Sequence, residues 1–263
     1  MAGNDMEGAF ATAIAAHRKS ANAVHHDEHR HEYYQTSLLS ALMGGVYDGD
    51  VSVGELLEHG DFGLGTFNAL DGEMIVLDGK AYRMTGDGRA AEVTDDALTP
   101  YAAVTLFEPD LAETIDAPVA KAAFEARLDA LASSPNLFYA VRVDGRFASM
   151  KFRNVVRQTQ PYRPLLEAVA EQEIHEIADA TGTMVGFRCP HYAVGIGVPG
   201  YHLHFISADR TKGGHVMDYE IAEGRLLLDH TSSLHLELPE SKSFNEADLE
   251  AGASASDIRK VEN

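Results

Sequence analysis

The sequence predicts an α+β (mixed α/β) fold with two closely packed, sheet-containing halves, the C-terminal one a small antiparallel sheet. Three observations carry this expectation. Short apolar–polar alternations, the period-two pattern of half-buried strands, recur in both halves and are punctuated by Asp-Gly and Gly-Gly signals. Helix starts are few: a Ser52-Val53-Gly54-Glu55 capping pattern, Pro118 and Pro164. From Thr183 onward the pattern is mostly β.

In chain order, residues 1–32 read as a separate N-terminal arm. A weak helical stretch over 11–23 is followed by His25, His26, His29 and His31 among charges. Such a tract either binds metal loosely or is a solvated arm. The folded body begins near Tyr33. Residues 36–43 read as a short helix stopped by Gly44-Gly45, and Ser52 opens a second one that Gly60 ends. Strands follow over 64–69, 73–77 and 81–84, joined at Asp71-Gly72 and Asp78-Gly79, with another over 101–107. Pro118 opens a helix to about residue 132, with Val119, Ala122, Ala123, Ala126 and Leu131 as its buried face. Residues 137–143 and 147–155 flank Asp144-Gly145 and read as a hairpin. Pro164 opens a second long helix to about 177. Strands are predicted over 185–188, 201–207, 215–221 and 225–229, and the alternation of Leu234, Leu236 and Leu238 adds a last one. Residues 244–263 form a polar tail with helical potential. The expected division is thus an arm over 1–32, a mixed half over 33–165 and a mostly antiparallel half over 166–263.

A chain of 263 residues can bury one large core or two modest ones. Hydrophobic residues at 45% and charged residues at 24% are the mix of a globular protein. The net charge of −20 argues against nucleic acid and anionic membrane as partners. It permits a small anionic substrate where local arginine or metal charge dominates. Cys189, the single cysteine, leaves no intramolecular disulfide framework and reads as a small buried hydrophobe. No apolar run reaches the length of a membrane span, and residues 1–10 lack the basic and apolar regions of a secretory signal. The expectation is a cytoplasmic enzyme.

The strongest chemical signal is Tyr201-His202-Leu203-His204-Phe205 followed by Gly213-Gly214-His215. On a strand, His202 and His204 share one face, about 6.6 Å apart at the backbone. Two such imidazoles can meet at one metal ion about 2 Å from each. A hairpin loop over 209–214 would return His215 alongside. Three nitrogen donors with a fourth position open is the pattern of a catalytic zinc site, although imidazole also suits Cu, Fe and Ni. The plainer alternative is a half-exposed sheet face without metal. His191, His230 and His235 read as structural or solvated.

Several separate motifs, in order, resemble the alpha-acetolactate decarboxylase family from about Tyr34 onward. They are Gly65-Thr66-Phe67-Asn68-Ala69-Leu70-Asp71-Gly72-Glu73, Asn136-Leu137-Phe138-Tyr139-Ala140-Val141-Arg142, Gly200-Tyr201-His202-Leu203-His204-Phe205 and Gly213-Gly214-His215-Val216. The resemblance implies a zinc-dependent conversion of 2-acetolactate to acetoin and carbon dioxide without an organic cofactor. It implies His202, His204 and His215 as the metal ligands, Glu73 and Arg153 as catalytic residues, and Thr66 and Arg153 in substrate binding. It further implies a tail glutamate in the pocket, for which Glu262 is the nearest match, a two-domain α/β subunit and a homodimer. The N-terminal histidines lie outside the matched region. Two other readings stay open: a three-histidine metal hydrolase or oxygenase, and a metal-binding protein without turnover.

Overall fold

The computed structural model describes residues 31–249 and 254–262. Strand β1 (Glu32–Thr36) leads to helix α1 (Leu39–Met43), and β2 (Val51–Ser52) to α2 (Val53–His59). Ser52 and Glu55 form the predicted capping box: the Ser52 hydroxyl accepts from the Glu55 N–H while the Glu55 carboxylate accepts from the Ser52 N–H. Then come β3 (Phe62–Thr66), β4 (Glu73–Leu77), β5 (Lys80–Met84), β6 (Ala90–Glu92), β7 (Leu98–Thr99) and β8 (Ala102–Thr105). Asp78 and Gly79 join β4 to β5 with φ of 53° and 74°, the left-handed pair a two-residue hairpin turn requires. The chain continues through β9 (Leu111–Ile115), β10 (Val119–Ala120), α3 (Lys121–Leu131), β11 (Phe138–Asn154), α4 (Leu165–Ala168), β12 (Glu173–Cys189), β13 (Gly200–Ser207), β14 (Gly213–Thr231), β15 (Ser233–Glu237), α5 (Lys242–Asn245) and α6 (Ala255–Glu262).

Two sheets dominate. The first has the order β15-β1-β8-β3-β4-β5-β6 and is antiparallel except for the β1–β15 pair. The second has the order β10-β14-β11-β12-β13, with β9 also on β14. Strand β13 then pairs with the first residues of β14, so β11, β12, β13 and β14 close on themselves. One core fills this closed sheet and the underside of α3, with Phe124, Phe147, Phe152 and Phe205 buried in it. A second lies between the sheets, where Tyr33, Phe62 and Ile75 meet Val185, Phe187 and Ile206.

Several expectations need correction. Asp144-Gly145 is not a turn, because β11 runs straight through it. Gly145 stands in register with Gly182 of β12 and Gly224 of β14, one glycine row across three strands. A methyl at Gly145 would lie 2.4 Å from the Glu223 carbonyl oxygen, and one at Gly182 2.3 Å from that of Ile206. The glycines mark close backbone approach between paired strands rather than chain reversal. Likewise 215–221 and 225–229 are one strand. The predicted helix over 164–177 stops after α4 and a single 3₁₀ turn, since residues from Glu173 onward pair with β11. Long-range pairing overrides the local helical pattern there.

Helix α3 begins at Lys121 rather than at Pro118, because Val119 and Ala120 pair with β14 as β10, and it buries Phe124 and Leu128 while Ala122, Ala123 and Ala126 face solvent. The large side chains win because burying one is worth about 1.5–3 kcal/mol, far more than an alanine methyl. The sheets do not divide near residue 165: β15 completes the first sheet and β11 sits inside the second. His31 and Glu32 belong to the body rather than the arm, while residues 1–30, with His25, His26 and His29, lie outside the described residues. Among the described residues no helix is long and apolar enough to cross a membrane.

If Gly145 serves close approach, Gly145→Ala lowers stability by about 1–3 kcal/mol through overpacking. Gly86→Ala, whose added methyl meets nothing nearer than Val156 Cγ2 at 3.4 Å, stays within about 0.5 kcal/mol of the parent. Calorimetric melting of both variants checks this.

Candidate metal centre and its pocket

On β13 the side chains alternate as expected. Leu203 and Phe205 point into the core, Phe205 edge-on to Phe147 with centroids 5.3 Å apart. His202 and His204 therefore share the opposite face. Strand β14 then brings its own histidine alongside, with His204 in register with His215 and Phe205 with Gly214. On its other side His215 is in register with Arg153 of β11. The Gly213-Gly214 pair belongs to the strand, not to the loop. A methyl on Gly214 would stand 2.6 Å from the Arg153 carbonyl oxygen, and one on Gly213 2.2 Å from that of Phe205. Only glycine lets β14 enter between its two neighbours.

The first sheet supplies the facing wall. Thr66 and Glu73 are in register across β3 and β4. The segment between them carries Ala69 and Leu70 at φ of 62° and 50°, and Gly72 at 92°. Left-handed conformations in non-glycine residues cost of order 1 kcal/mol or more each and persist only where the surroundings hold them. Here the Thr66 hydroxyl donates to the Gly72 carbonyl at 2.8 Å and the Gln158 N–H to that of Ala69 at 2.7 Å. The Asn68 amide also clamps the Gly49 backbone through two bonds of 2.9 Å. This bracing delivers Glu73, 7% exposed, to the pocket.

The three imidazoles form a nearly regular triangle, with centroid separations of 5.1, 5.0 and 5.3 Å. Rings bound tetrahedrally to one ion at about 2 Å would have centres about 5 Å apart. One nitrogen from each lies within 4.8 Å of the others. His204 is oriented for the purpose. Its Nδ1 lies 2.8 Å from the Met74 carbonyl oxygen, an atom that can only accept, so Nδ1 carries the proton. Nε2 is left as a bare lone pair. It is buried, makes no hydrogen bond, and lies 3.7 Å from Glu73 Oε2. A buried unsatisfied nitrogen costs about 1–3 kcal/mol, and a metal ion resolves that cost. Burial, and then the Arg153 charge, hold His202 neutral, pushing its pKa down to about 3. Burial, followed by His202, pushes His204 well down too. Neutral imidazole is the form that binds metal. The residues present fit a three-histidine transition-metal site.

The pocket encloses about 430 Å³, including space open at its mouth. Thr66, Glu73, Arg153, His202 and His215 supply its polar lining, and Leu39, Leu42, Leu70, Leu165, Val169 and Val261 its apolar walls. Arg153, only 4% exposed, donates from Nη1 to Gln172 Oε1 at 2.8 Å. Thus Thr66, Glu73, Arg153 and the three histidines come together, although they span 150 positions of sequence, from residue 66 to 215. Helix α6 contributes Val261, while the Glu262 side chain lies outside what is described. Sequence reasoning missed Tyr101 and Gln172, which have no local motif, and the apolar wall from α1, α4 and α6. His191 is exposed, apart from the triad. His230 and His235 instead contact carboxylates of Asp110 and Glu32.

A profile of the family described as alpha-acetolactate decarboxylase matches residues 33–251. An alpha-acetolactate decarboxylase of Methylococcus capsulatus is 44% identical over 241 residues, which cover 91% of this chain and 93% of that one. The crystal structure of alpha-acetolactate decarboxylase from Bacillus subtilis strain 168 superposes with a TM-score of 0.87 at 42% identity, covering 88% of this chain and 99% of that one. A Staphylococcus aureus protein of unknown function, described as similar to alpha-acetolactate decarboxylase, superposes at 0.84 with 32% identity, covering 88% of this chain and 100% of that one.

The buried histidines set a pH dependence for the metal-free protein. In the unfolded chain His202 takes up a proton near pH 6.5, whereas in the fold it does so only near 3. Between these values the unfolded state binds more protons, so stability falls as pH falls, by up to about 1.4 kcal/mol per unit from this residue. Above 6.5 it contributes no slope. Urea unfolding of chelator-treated protein across this window should show a steeper decline than the His202→Gln variant. Parallel curves would mean that His202 is solvated.

Proposed function

The chain belongs to the alpha-acetolactate decarboxylase family of carboxy-lyases, and we propose that it converts 2-acetolactate to acetoin and carbon dioxide at a zinc ion held by His202, His204 and His215. The bare Nε2 of His204, buried between two other imidazoles, is the observation that carries the metal assignment. Bound there, zinc supplies Lewis acidity toward the negative charge that develops when the carboxylate leaves.

The remaining work falls to the chain. Acetolactate is a β-keto acid with two methyl groups. The walls formed by Leu39, Leu42, Leu70, Leu165, Val169 and Val261 accept those methyls and exclude water. The Arg153 guanidinium meets the substrate carboxylate or the oxygen that becomes negative, in fork geometry. Its bond to Gln172 fixes the orientation of that fork. As the carbon–carbon bond breaks, its electron pair passes into the former ketone, giving an enediolate and carbon dioxide. The carbon that lost carboxylate must then gain a proton, so each turnover consumes one. We assign its delivery to Glu73, whose Oε2 lies 3.7 Å from His204 Nε2. Thr66, bonded to the Gly72 carbonyl beside Glu73, acts as a pocket residue that keeps this segment in place. Glu262 is proposed to join the pocket from α6, on family resemblance and on the place of its neighbour Val261. A homodimer enters this proposal through the resemblance alone.

The reading is tested by anaerobic incubation of metal-analysed protein with racemic acetolactate, following acetoin and carbon dioxide. Acetoin formation is expected, with turnover lost in His204→Ala. A folded, zinc-loaded protein that yields no acetoin would overturn it in favour of a hydrolase, an oxygenase or a metal-binding protein. Glu73→Gln should retain zinc while kcat falls about 10²–10⁴-fold, the usual worth of a positioned acid–base group. Arg153→Gln should lose about 10²–10³-fold in kcat/KM, as for other donors aimed at developing charge. Steady-state kinetics and elemental analysis of each variant decide both.

A further inference from the structure

A second convergence of imidazoles and carboxylates lies where β14 ends and β1 begins, and none of its residues lines the pocket. His31 Nδ1 lies 2.8 Å from Asp229 Oδ1, and His230 Nδ1 contacts Asp110 Oδ2. The two imidazoles stack with centroids 4.6 Å apart and planes inclined by 21°. One donor atom from each of the four side chains lies within 4.8 Å of all the others. Backbone groups hold the cluster in place. The His31 carbonyl accepts from the N–H groups of Ser232 and Ser233 at 3.0 and 3.2 Å. Asp229 Oδ2 accepts from the Glu108 N–H at 2.9 Å, and Asp110 Oδ2 from that of His230 at 2.9 Å.

We propose that His31, Asp110, Asp229 and His230 form a structural site for a divalent transition-metal ion, with zinc the best match, separate from the three-histidine centre. Two imidazole nitrogens and two carboxylate oxygens are a complete four-coordinate set, which leaves no open position and suits a structural role. Donor atoms around tetrahedral zinc stand about 3.3 Å apart, so side-chain shifts on the order of 1 Å bring the four together. Charge supports the match. The Asp229 side chain is 0% exposed, and a buried carboxylate needs a compensating cation. With neutral imidazoles the cluster carries two negative charges, which a divalent ion balances. The other three side chains remain 21–39% exposed, so an ion can reach them from solvent.

The position gives the site a purpose. His31 immediately precedes β1 of the first sheet, while Asp229 and His230 end β14 of the second. An ion there ties the two sheets together at the start of the body. His31 is also the last of the four histidines that the sequence singles out, and the decarboxylation chemistry uses none of them.

The test uses the full chain, stripped by chelator and titrated with Zn²⁺ by calorimetry, with elemental analysis of the product. Two ions per chain are expected for the parent, one for His204→Ala and one for His31→Ala/His230→Ala. Replacing His25, His26 and His29 with Ala should leave two. Should the double variant fail to fold, Asp110→Asn alters an exposed side chain and is expected to weaken the second site at least tenfold. In the His204→Ala background zinc should still raise the melting temperature, and adding Asp110→Asn should abolish that rise. One ion per parent chain that the double variant retains would overturn the proposal. So would unchanged binding of two ions in the double variant or in Asp110→Asn, or loss of the second ion with His25, His26 and His29. Loss of the three-histidine ion alone would leave this site standing.

Discussion

The pairing of β13 with the first residues of β14, which sets His204 opposite His215, is the contact on which the rest of the molecule depends. Neighbouring strands lie about 4.8 Å apart, so one register places two imidazoles within reach of one ion. The same strand segment pairs on its other side with β11, which sets Arg153 beside His215. One seam therefore closes the second sheet, completes the histidine triangle and places a buried cation next to it. Glycines at 213 and 214 make the seam possible, since any side chain there would occupy backbone atoms of β13 or β11.

The triangle is not self-sufficient. The bond that fixes the tautomer of His204 comes from the Met74 carbonyl, in the other sheet. That sheet also brings Glu73 forward on a segment whose left-handed residues are held by hydrogen bonds from Thr66 and Gln158. Packing of the two sheets through Ile75, Phe187 and Ile206 thus sets the chemistry of a ligand as well as the stability of the core. Apolar side chains from α1, α4 and α6 cover the result, and between such apolar walls each fixed charge acts more strongly than in water.

Net charge and local charge diverge. The chain carries −20, yet the polar face of the pocket presents the Arg153 guanidinium beside Glu73, and burial holds the imidazoles of His202 and His204 neutral. Many of the other acidic residues sit in surface pairs such as Lys80–Glu92 and Arg146–Asp179, which contribute little to stability. With a divalent ion held by the three histidines as proposed, the ion and Arg153 together would outweigh Glu73, so an anionic small molecule would meet a positive pocket in an acidic protein.

Features set by neighbouring residues were legible in the sequence. The alternation around His202 and His204, the capping box at Ser52 and the turn at Asp78-Gly79 depend on a few adjacent side chains and backbone angles, and the structure carries all three. Features set by distant partners were not. Asp144-Gly145 has the form of a turn, and only β12 and β14 on either side make it a point of close approach. Residues 173–177 follow a helical pattern until β11 takes them as a partner. Gln172 against Arg153, Tyr101 in the pocket wall and the junction of His31 with Asp229 have no motif, because contact between residues far apart in the chain leaves no local trace. The sequence by itself determined which side chains were available for metal and proton chemistry, since residue type and short-range spacing are properties of the chain. Only the tertiary structure decided which of them meet, because strand register and the packing of two sheets are settled by burial and long-range pairing.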